Sequence, residues 1–410
     1  MKYNRILFTI VFIASSLGYT AMYAAPAPWE RVGREASSLL SQIEKNNTTL
    51  KALRTEAEAR KLENRTGITL ADPEVGYKHM WEGAGESGKL TELTVTQSID
   101  LATATGQRSR VARQQNMLVD EEYRMARMEI LLDAQLALID LDYYNALSAE
   151  LDRRLGHAHR VVEAEKARFD SGDTDVLSYN NVLLSLSALE AEEARVAMER
   201  EVLIAQLTAL NGGIAIGNLD NLGSQGNIEC QDDQDFTSWY AEAETYLPLL
   251  AQARQLREVR SSELALTKTE HLPSLSATYI NERHTIGTRS QGVAVGMSLP
   301  LWSNKNRVRS ARTALEAAEA RQADTELRLR SVYAQEFARV KGLYHTATLY
   351  RRALDEANNS ELLQRAMDEG FISVLEYLQG IELYYDYLDR SLAAERDYRR
   401  AVAELEAWRL

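Results

Sequence analysis

The sequence predicts a mainly α-helical chain with a membrane β element: long antiparallel helical hairpins plus two β-hairpins, four strands in all, laid out as two copies of one pattern. Three observations predict it. Glycine (21) and proline (6) are scarce among 410 residues, and Ala, Leu, Glu and Arg fill long uninterrupted stretches. That is the profile of long helices, not of an all-β sandwich or a loop-rich enzyme. Two pairs of segments abandon the helical period for alternation. Finally, landmarks of the first half return in the second at a near-constant offset.

The elements follow in order. A helical run from about residue 29 to 65 carries Val32, Ala36, Leu39, Ile43, Leu50, Leu53 and Ala57 at 3/4 spacing, with polar Asn46 at the one skipped place; this is a heptad seam. Pro73 then opens a stretch in which Val75, Tyr77, His79 and Trp81 alternate with Glu74, Gly76, Lys78 and Met80. Gly83, Gly85 and Gly88 make a turn, after which Leu93, Val95, Gln97 and Ile99 alternate with Glu92, Thr94, Thr96 and Ser98. Two alternating runs about a glycine-rich loop read as a hairpin. Arms of about 10 residues are near the length at which a tilted strand crosses a bilayer. Helix returns from about 107 to 169, with Gly156 its only glycine and Leu132, Leu136, Ile139 and Tyr143 in a 4/3/4 row. At ~1.5 Å per residue this is a rod on the order of 90 Å. It breaks at Asp170-Ser171-Gly172-Asp173, resumes from about 176 to 210, and stops at Asn211-Gly212-Gly213.

The second copy starts with helix from about 236 to 271. Pro273 opens the alternating Leu275, Ala277 and Tyr279, residues 287–292 form a loop, and Val293, Val295, Met297 and Leu299 alternate up to Pro300. A second rod runs from about 307 to 368 and breaks at Glu369-Gly370; a last helix carries Leu378, Ile381, Tyr385, Leu388 and Leu392 at helical spacing. Pro73 and Pro273 lie 200 apart, as do Ile99-Asp100-Leu101 and Leu299-Pro300-Leu301. Gly172 with Val176-Leu177 and Gly370 with Val374-Leu375 lie 198 apart. The expected organisation is a leader at 1–25, a first repeat at 26–211, a linker at 212–235 and a second repeat at 236–410.

Lys2 and Arg5 precede an apolar run from Ile6 to Tyr19, followed by the small residues Ala21, Ala24 and Ala25. This reads as a secretory signal peptide, with an uncleaved N-terminal anchor as the other reading. No later segment holds the ~20 apolar residues of a spanning helix. One cysteine, Cys230, excludes an intrachain disulfide framework and a multi-cysteine metal site. A formal charge of −13 disfavours nucleic acid as a partner. The histidines are scattered; His157 and His159, two apart, lie on different faces of a helix. Phosphate-loop, G-x-S-x-G and H-E-x-x-H motifs are absent from the sequence. The expectation is a protein that is not an enzyme, with no catalytic residues, metal or cofactor.

The order helix, hairpin, long rod, glycine break and returning helix, given twice behind a leader, resembles the outer membrane efflux protein (TolC) family. The segments ARFDSGDTDVLSYNNVLLSLSALEAEEARVAMEREVLIAQLTALNG and RAMDEGFISVLEYLQGIELYYDYLDRSLAAERDYRRAVAELEAWRL are similar to that family's paired helical tips. TQSIDLATATGQRSRVARQ and GMSLPLWSNKNRVRSART are similar to its strand-to-helix exits. The second tip, with GFISVLEYL, most resembles the branch serving heavy-metal and related cation exporters. The resemblance spans nearly the whole mature chain and rests on the repeated order, not on a single motif. It implies a homotrimer with a twelve-stranded barrel in the outer membrane lipid, four strands from each chain, continued into the periplasm as a helical tunnel. The implied role is passive conduction in a tripartite efflux system, with a periplasmic adaptor (membrane fusion) protein and an inner-membrane pump. The alternatives are the channel of a type I secretion system, or a periplasmic coiled-coil scaffold or adaptor. Elementary physics also asks for company. Four strands cannot close around a channel, and an open sheet edge in lipid leaves backbone groups unsatisfied.

The resemblance places both glycine breaks at the periplasmic end of the tunnel. Asp170, Asp173 and Asp175 flank the first, and Asp368 and Glu369 the second. Around a threefold axis these acids would ring the aperture with negative charge and favour cations. Asp173 and Thr174 would equally cap the helix that follows. Gly172, Val176, Leu177, Gly370, Val374 and Leu375 form the expected docking surface for the adaptor. The second turn is a few residues shorter than in the best-known members and carries no Tyr–Arg latch.

Overall fold

The structure, a computed structural model, describes residues 34–81, 89–217, 219, 235–284, 287–299, 305–357 and 359–410. The expected leader, the glycine-rich turn expected after Trp81, Pro300 and Cys230 lie outside them. Helices α1 (Arg34–Asn46) and α2 (Thr48–Glu63) precede strands β1 (Glu74–Trp81) and β2 (Lys89–Ile99). A one-turn helix, α3 (Leu101–Ala104), leads into α4 (Gln107–Ser171, 65 residues) and α5 (Val176–Leu210). The order then recurs as α6 (Phe236–Tyr246), α7 (Pro248–Thr269), β3 (Ser274–His284), β4 (Arg289–Ser298), α8 (Arg307–Glu356), α9 (Ser360–Asp368) and α10 (Val374–Leu405).

The duplication extends to details of the backbone. The expected helix from 29 to 65 is interrupted at Asn47, and the one from 236 to 271 at Leu247, 200 residues later. Asn47 caps α2 by accepting the Leu50 amide at 2.8 Å. Leu247 is forced out of helical geometry by Pro248, which sits at the first position of α7 and has no amide to donate. Each long helix of the two halves is launched from a left-handed residue, Gly106 (φ 72°) and Asn306 (φ 68°), again 200 apart. Asparagine is among the few non-glycine residues that accept this conformation.

Two expectations need correction. The second rod does not run unbroken to 368: α8 ends at Glu356 and α9 starts at Ser360. Asn359 and Ser360 are residue types whose side chains compete for backbone hydrogen bonds, which disfavours continued helix. The loop expected at 287–292 is shorter, because β4 begins at Arg289 and pairs with β3 from Arg283 onward.

Helix α4 is the spine. It packs against α5 and α10 towards one end and against α1, α2 and α7 towards the other. Its deepest row is Leu131, Ala134, Leu138 and Leu141, all at most 3 % exposed. Of the row expected from the sequence, Ile139 is buried, while Leu132, Leu136 and Tyr143 are half-buried. Charged contacts then sew the two repeats together: Arg399 reaches Asp142 at 2.8 Å, and Arg400 pairs with Asp140. The end of α5 is locked to the α1–α2 break by side-chain amides, of which Asn47 and Asn211 are buried. Asn46 donates to Asn211 at 3.0 Å, and Asn47 donates to the Leu210 carbonyl at 2.8 Å. Gly212 turns the chain there at φ 70°, and a Cβ on it would lie 2.5 Å from the Asn46 carbonyl oxygen. Gly212→Ala is therefore expected to destabilise the fold by about 2–4 kcal/mol, through left-handed strain plus a backbone clash. Thermal unfolding checks this; an unchanged midpoint would refute it.

Candidate functional site: two helical tips and a two-faced sheet

The tips are built alike. At the end of α4, Gly172 (φ 82°) lets its own amide bond to the Phe169 carbonyl at 3.0 Å and the Asp173 amide to the Arg168 carbonyl at 2.8 Å. At the end of α9, Gly370 (φ 76°) does the same through Met367 at 3.0 Å, with the Phe371 amide on Ala366 at 2.8 Å. Glycine closes helices this way because it has no Cβ to clash in the left-handed region.

The acids of the first turn divide their work. Asp175, not Asp173 or Thr174, caps α5: its carboxylate accepts the Ser178 amide at 2.8 Å. That bond holds the Asp175 carboxyl below the ordinary carboxylate range. The cap's contribution is thus present at neutral pH and disappears only as pH falls through the lowered value. Asp173 instead accepts from the Ser171 hydroxyl at 2.8 Å, and the Thr174 hydroxyl donates to Glu165 at 2.7 Å. With three candidate caps in a row, the length of the glycine turn decides which one meets the helix. Asp170, Asp368 and Glu369 are exposed. The second turn uses a residue the sequence reading passed over, Ser373. It forms a capping box with Glu376, whose carboxyl is lowered by the Ser373 amide and then by its hydroxyl.

Of the expected docking residues, Val176, Leu177 and Leu375 are exposed beside their glycines. Val374 is not. It packs into the tip core with Val161, Val182, Tyr377 and Ile381. The return from Gly370 sets Val374 at the first position of α10, facing inward. Phe371, 77 % exposed, takes its place at the apex and was missed. An apolar residue next to a turn glycine was the available signal.

The tip core brings both hairpins side by side, and Arg154 of α4 reinforces the junction. Only 3 % exposed, Arg154 grips Asp389 of α10 at 2.6 and 3.0 Å, takes Glu150 at 3.3 Å, and stacks 4.2 Å from the centre of the Tyr385 ring. Burial works against its charge, but the bonds and charges of Asp389 and Glu150 outweigh burial and hold the guanidinium above its usual value. Burial likewise pushes the Tyr385 hydroxyl up to about 12.

At the far end of the rods the four strands form one antiparallel sheet in the order β1-β2-β3-β4. Register makes the faces explicit. Val75 lies opposite Val95, Val95 opposite Tyr279, and Tyr279 opposite Val293; Ala277 lies opposite Val295 and Leu275 opposite Met297. This face is an apolar band, with Val293 83 % and Val295 80 % exposed. The other face carries Thr94, Thr96, Ser276, Thr278, Ala294 and Gly296, and its hydroxyls meet across the hairpins, Thr96 to Thr278 at 3.0 Å. Further towards the turns it carries Glu92 opposite Glu282, with Lys78 3.5 Å from Glu92. Strands β1 and β4 are open edges within the chain. An exposed apolar face and two free edges are untenable in water and suited to a closed wall in lipid. Among the described residues no helix is long and apolar enough to cross a membrane.

Comparison with known proteins agrees with this geometry. Residues 239–408 match the family model of the outer membrane efflux protein. The fold is shared with a membrane protein from Pseudomonas aeruginosa (17 % identity, TM-score 0.74, 92 % of this chain and 90 % of that one). It is shared with the outer membrane protein VceC of Vibrio cholerae (13 %, 0.69, 91 % and 95 %) and with the transmembrane channel CusC (15 %, 0.72, 94 % and 95 %). No curated protein matches the sequence. The second half of the chain thus matches the outer membrane efflux protein model, and the fold of these solved membrane proteins is shared through more than nine-tenths of its length.

Proposed function

We propose that the chain is the outer-membrane duct of a tripartite efflux system, conducting substrate passively from periplasm to exterior. The observation that carries this reading is the sheet. It has one apolar face, one hydroxyl-lined face and two open edges, at the end of rods far too long for a self-contained globule. Three copies of a four-stranded sheet make a closed wall when β1 of each meets β4 of the next, the hydroxyl face inward. The repeats at 26–211 and 236–410, joined by 212–235, then supply the tunnel. Energy comes from an inner-membrane pump, and a periplasmic adaptor docks on the tips around Gly172, Val176, Leu177, Gly370, Phe371 and Leu375.

Outer-membrane fractions containing heat-modifiable trimers, and cation-preferring conductance in planar bilayers, are the expected results. A soluble monomer would overturn the reading. The acids at the tips support cation preference, and Asp175 separates charge from structure. Asp175→Asn keeps a competent cap and is expected to lower cation preference with the melting temperature unchanged. Asp175→Ala should lower both. Unchanged selectivity in the Asn variant would reduce Asp175 to a helix cap.

A further inference from the structure

The outer end of the sheet's apolar face carries a group of cations that conduction does not use. Two rows beyond Tyr279 and Val293, register sets Thr91 opposite Arg283 and Arg283 opposite Arg289. Lys89, opposite Trp81, occupies the next row on the same face. Directly opposed residues have Cβ atoms about 5 Å apart and diagonal neighbours about 7–8 Å, so three cations fall within reach of one anionic group. All three are exposed, as is Trp81. Arg283 and Arg289 face one another as like charges, an arrangement that costs stability unless an anion sits between them. Among the described residues neither has a carboxylate partner; turning the Gln291 amide lets its oxygen accept from Arg289 at 3.1 Å, which leaves the charge in place. Among the described residues the carboxylates at this height, Glu92 and Glu282, alternate onto the opposite face of the sheet.

We propose that Lys89, Arg283 and Arg289 form a site for the phosphorylated headgroup of a lipid in the outer leaflet. Position selects a lipid over free phosphate. The cations lie beyond Asn281 and Gln291, immediately outward of the band formed by Val95, Tyr279 and Val293. An acyl chain lying on that band brings its headgroup to the arginines. Arginine's planar fork suits phosphate oxygens, and Trp81 stands where interfacial aromatics concentrate. The inference rests on the barrel reading, which makes this face the lipid-facing one and the turn end the exterior.

The test uses purified full-length trimers and three probes: a diphosphorylated glucosamine lipid, the same lipid without phosphates, and inorganic phosphate. Wild type should bind the phosphorylated lipid and gain thermal stability from it. Lys89→Gln, Arg283→Gln and Arg289→Gln together should weaken binding about a hundredfold and abolish the thermal gain. Glu92→Gln with Glu282→Gln should leave binding intact. Equal binding by the triple variant, equal binding of the phosphate-free lipid, or full competition by equimolar inorganic phosphate would each overturn the proposal. Planar-bilayer conductance separates the two levels. Conducting trimers with unchanged lipid binding overturn this site alone, whereas a wild-type chain that forms no conducting trimer overturns the barrel and the site with it.

Discussion

Arginine at Val295 will keep the chain out of the outer membrane, while arginine at Ala294, one residue away, will be accepted. The two side chains belong to the same strand and both are exposed, so nothing in the packing of the single chain distinguishes them. The pleat does. Val295 pairs with Ala277 on the apolar face, and Ala294 pairs with Thr278 on the hydroxyl-lined face. A lipid-facing arginine near the bilayer midplane costs about 2–4 kcal/mol, and threefold assembly incurs it three times over. An arginine in a wet lumen meets water and the carboxylates further along that face. Trimer yield in the outer-membrane fraction, read as heat-modifiable bands, distinguishes these outcomes. Normal assembly of the Val295 variant, or equal loss with the Ala294 variant, would mean that the sheet does not face lipid as the register requires. Conductance should then respond to Ala294→Arg alone, since only that residue lines the path in the proposed barrel.

The legible and the illegible parts of this molecule divide by range. Strand faces were readable because alternation is a local signal, and the tips because glycine and acid residues mark a chain reversal. The duplication was readable as a repeated offset, and it proved deeper than the landmarks suggested: the helix breaks at Asn47 and Leu247 and the left-handed Gly106 and Asn306 keep it too. Those breaks were hidden because apolar spacing continues across them, although Pro248 alone was sufficient warning. The identity of the cap at the first tip was undecidable among Asp173, Thr174 and Asp175, since each is a competent cap and only the turn geometry chooses. The burial of Val374 against the exposure of Val176 depends on how each turn presents the start of its helix to a core that both tips share. The Arg154–Asp389 grip joins residues 235 positions apart, beyond any local pattern. Removing Asp389 would leave a buried guanidinium with Glu150 as its remaining acid partner.

Gly370→Trp is expected to abolish efflux while trimers still form. The backbone at Gly370 is left-handed, so any side chain there adds local strain of about 1–2 kcal/mol. A Cβ at this position meets no atom within 4 Å, which confines the damage to the turn and leaves the tip core in place. The indole then projects from the turn that carries the exposed Phe371 and Leu375, the surface proposed above for the adaptor's helical tip. Strain and obstruction separate through a control. Gly67 is equally left-handed (φ 69°), equally open around its Cβ, and lies in the connection between α2 and β1, near the opposite end of the rods. Gly67→Trp adds the same strain without touching the tip, and efflux should persist. Phe371→Asp approaches the same surface from its chemistry: it leaves the backbone alone and replaces a 77 % exposed apolar side chain with a charge, so it should also impair efflux if the partner packs there. The measurement is efflux by the complete system in cells, alongside trimer abundance in the outer membrane. Full efflux with Gly370→Trp would remove this turn from the docking surface. Loss with both tryptophan variants would show strain, not obstruction, to be the cause. Loss at Gly370 and Phe371 with retention at Gly67 is the pattern that only tip-to-tip contact produces, because only contact is indifferent to how the apex is altered and sensitive to where.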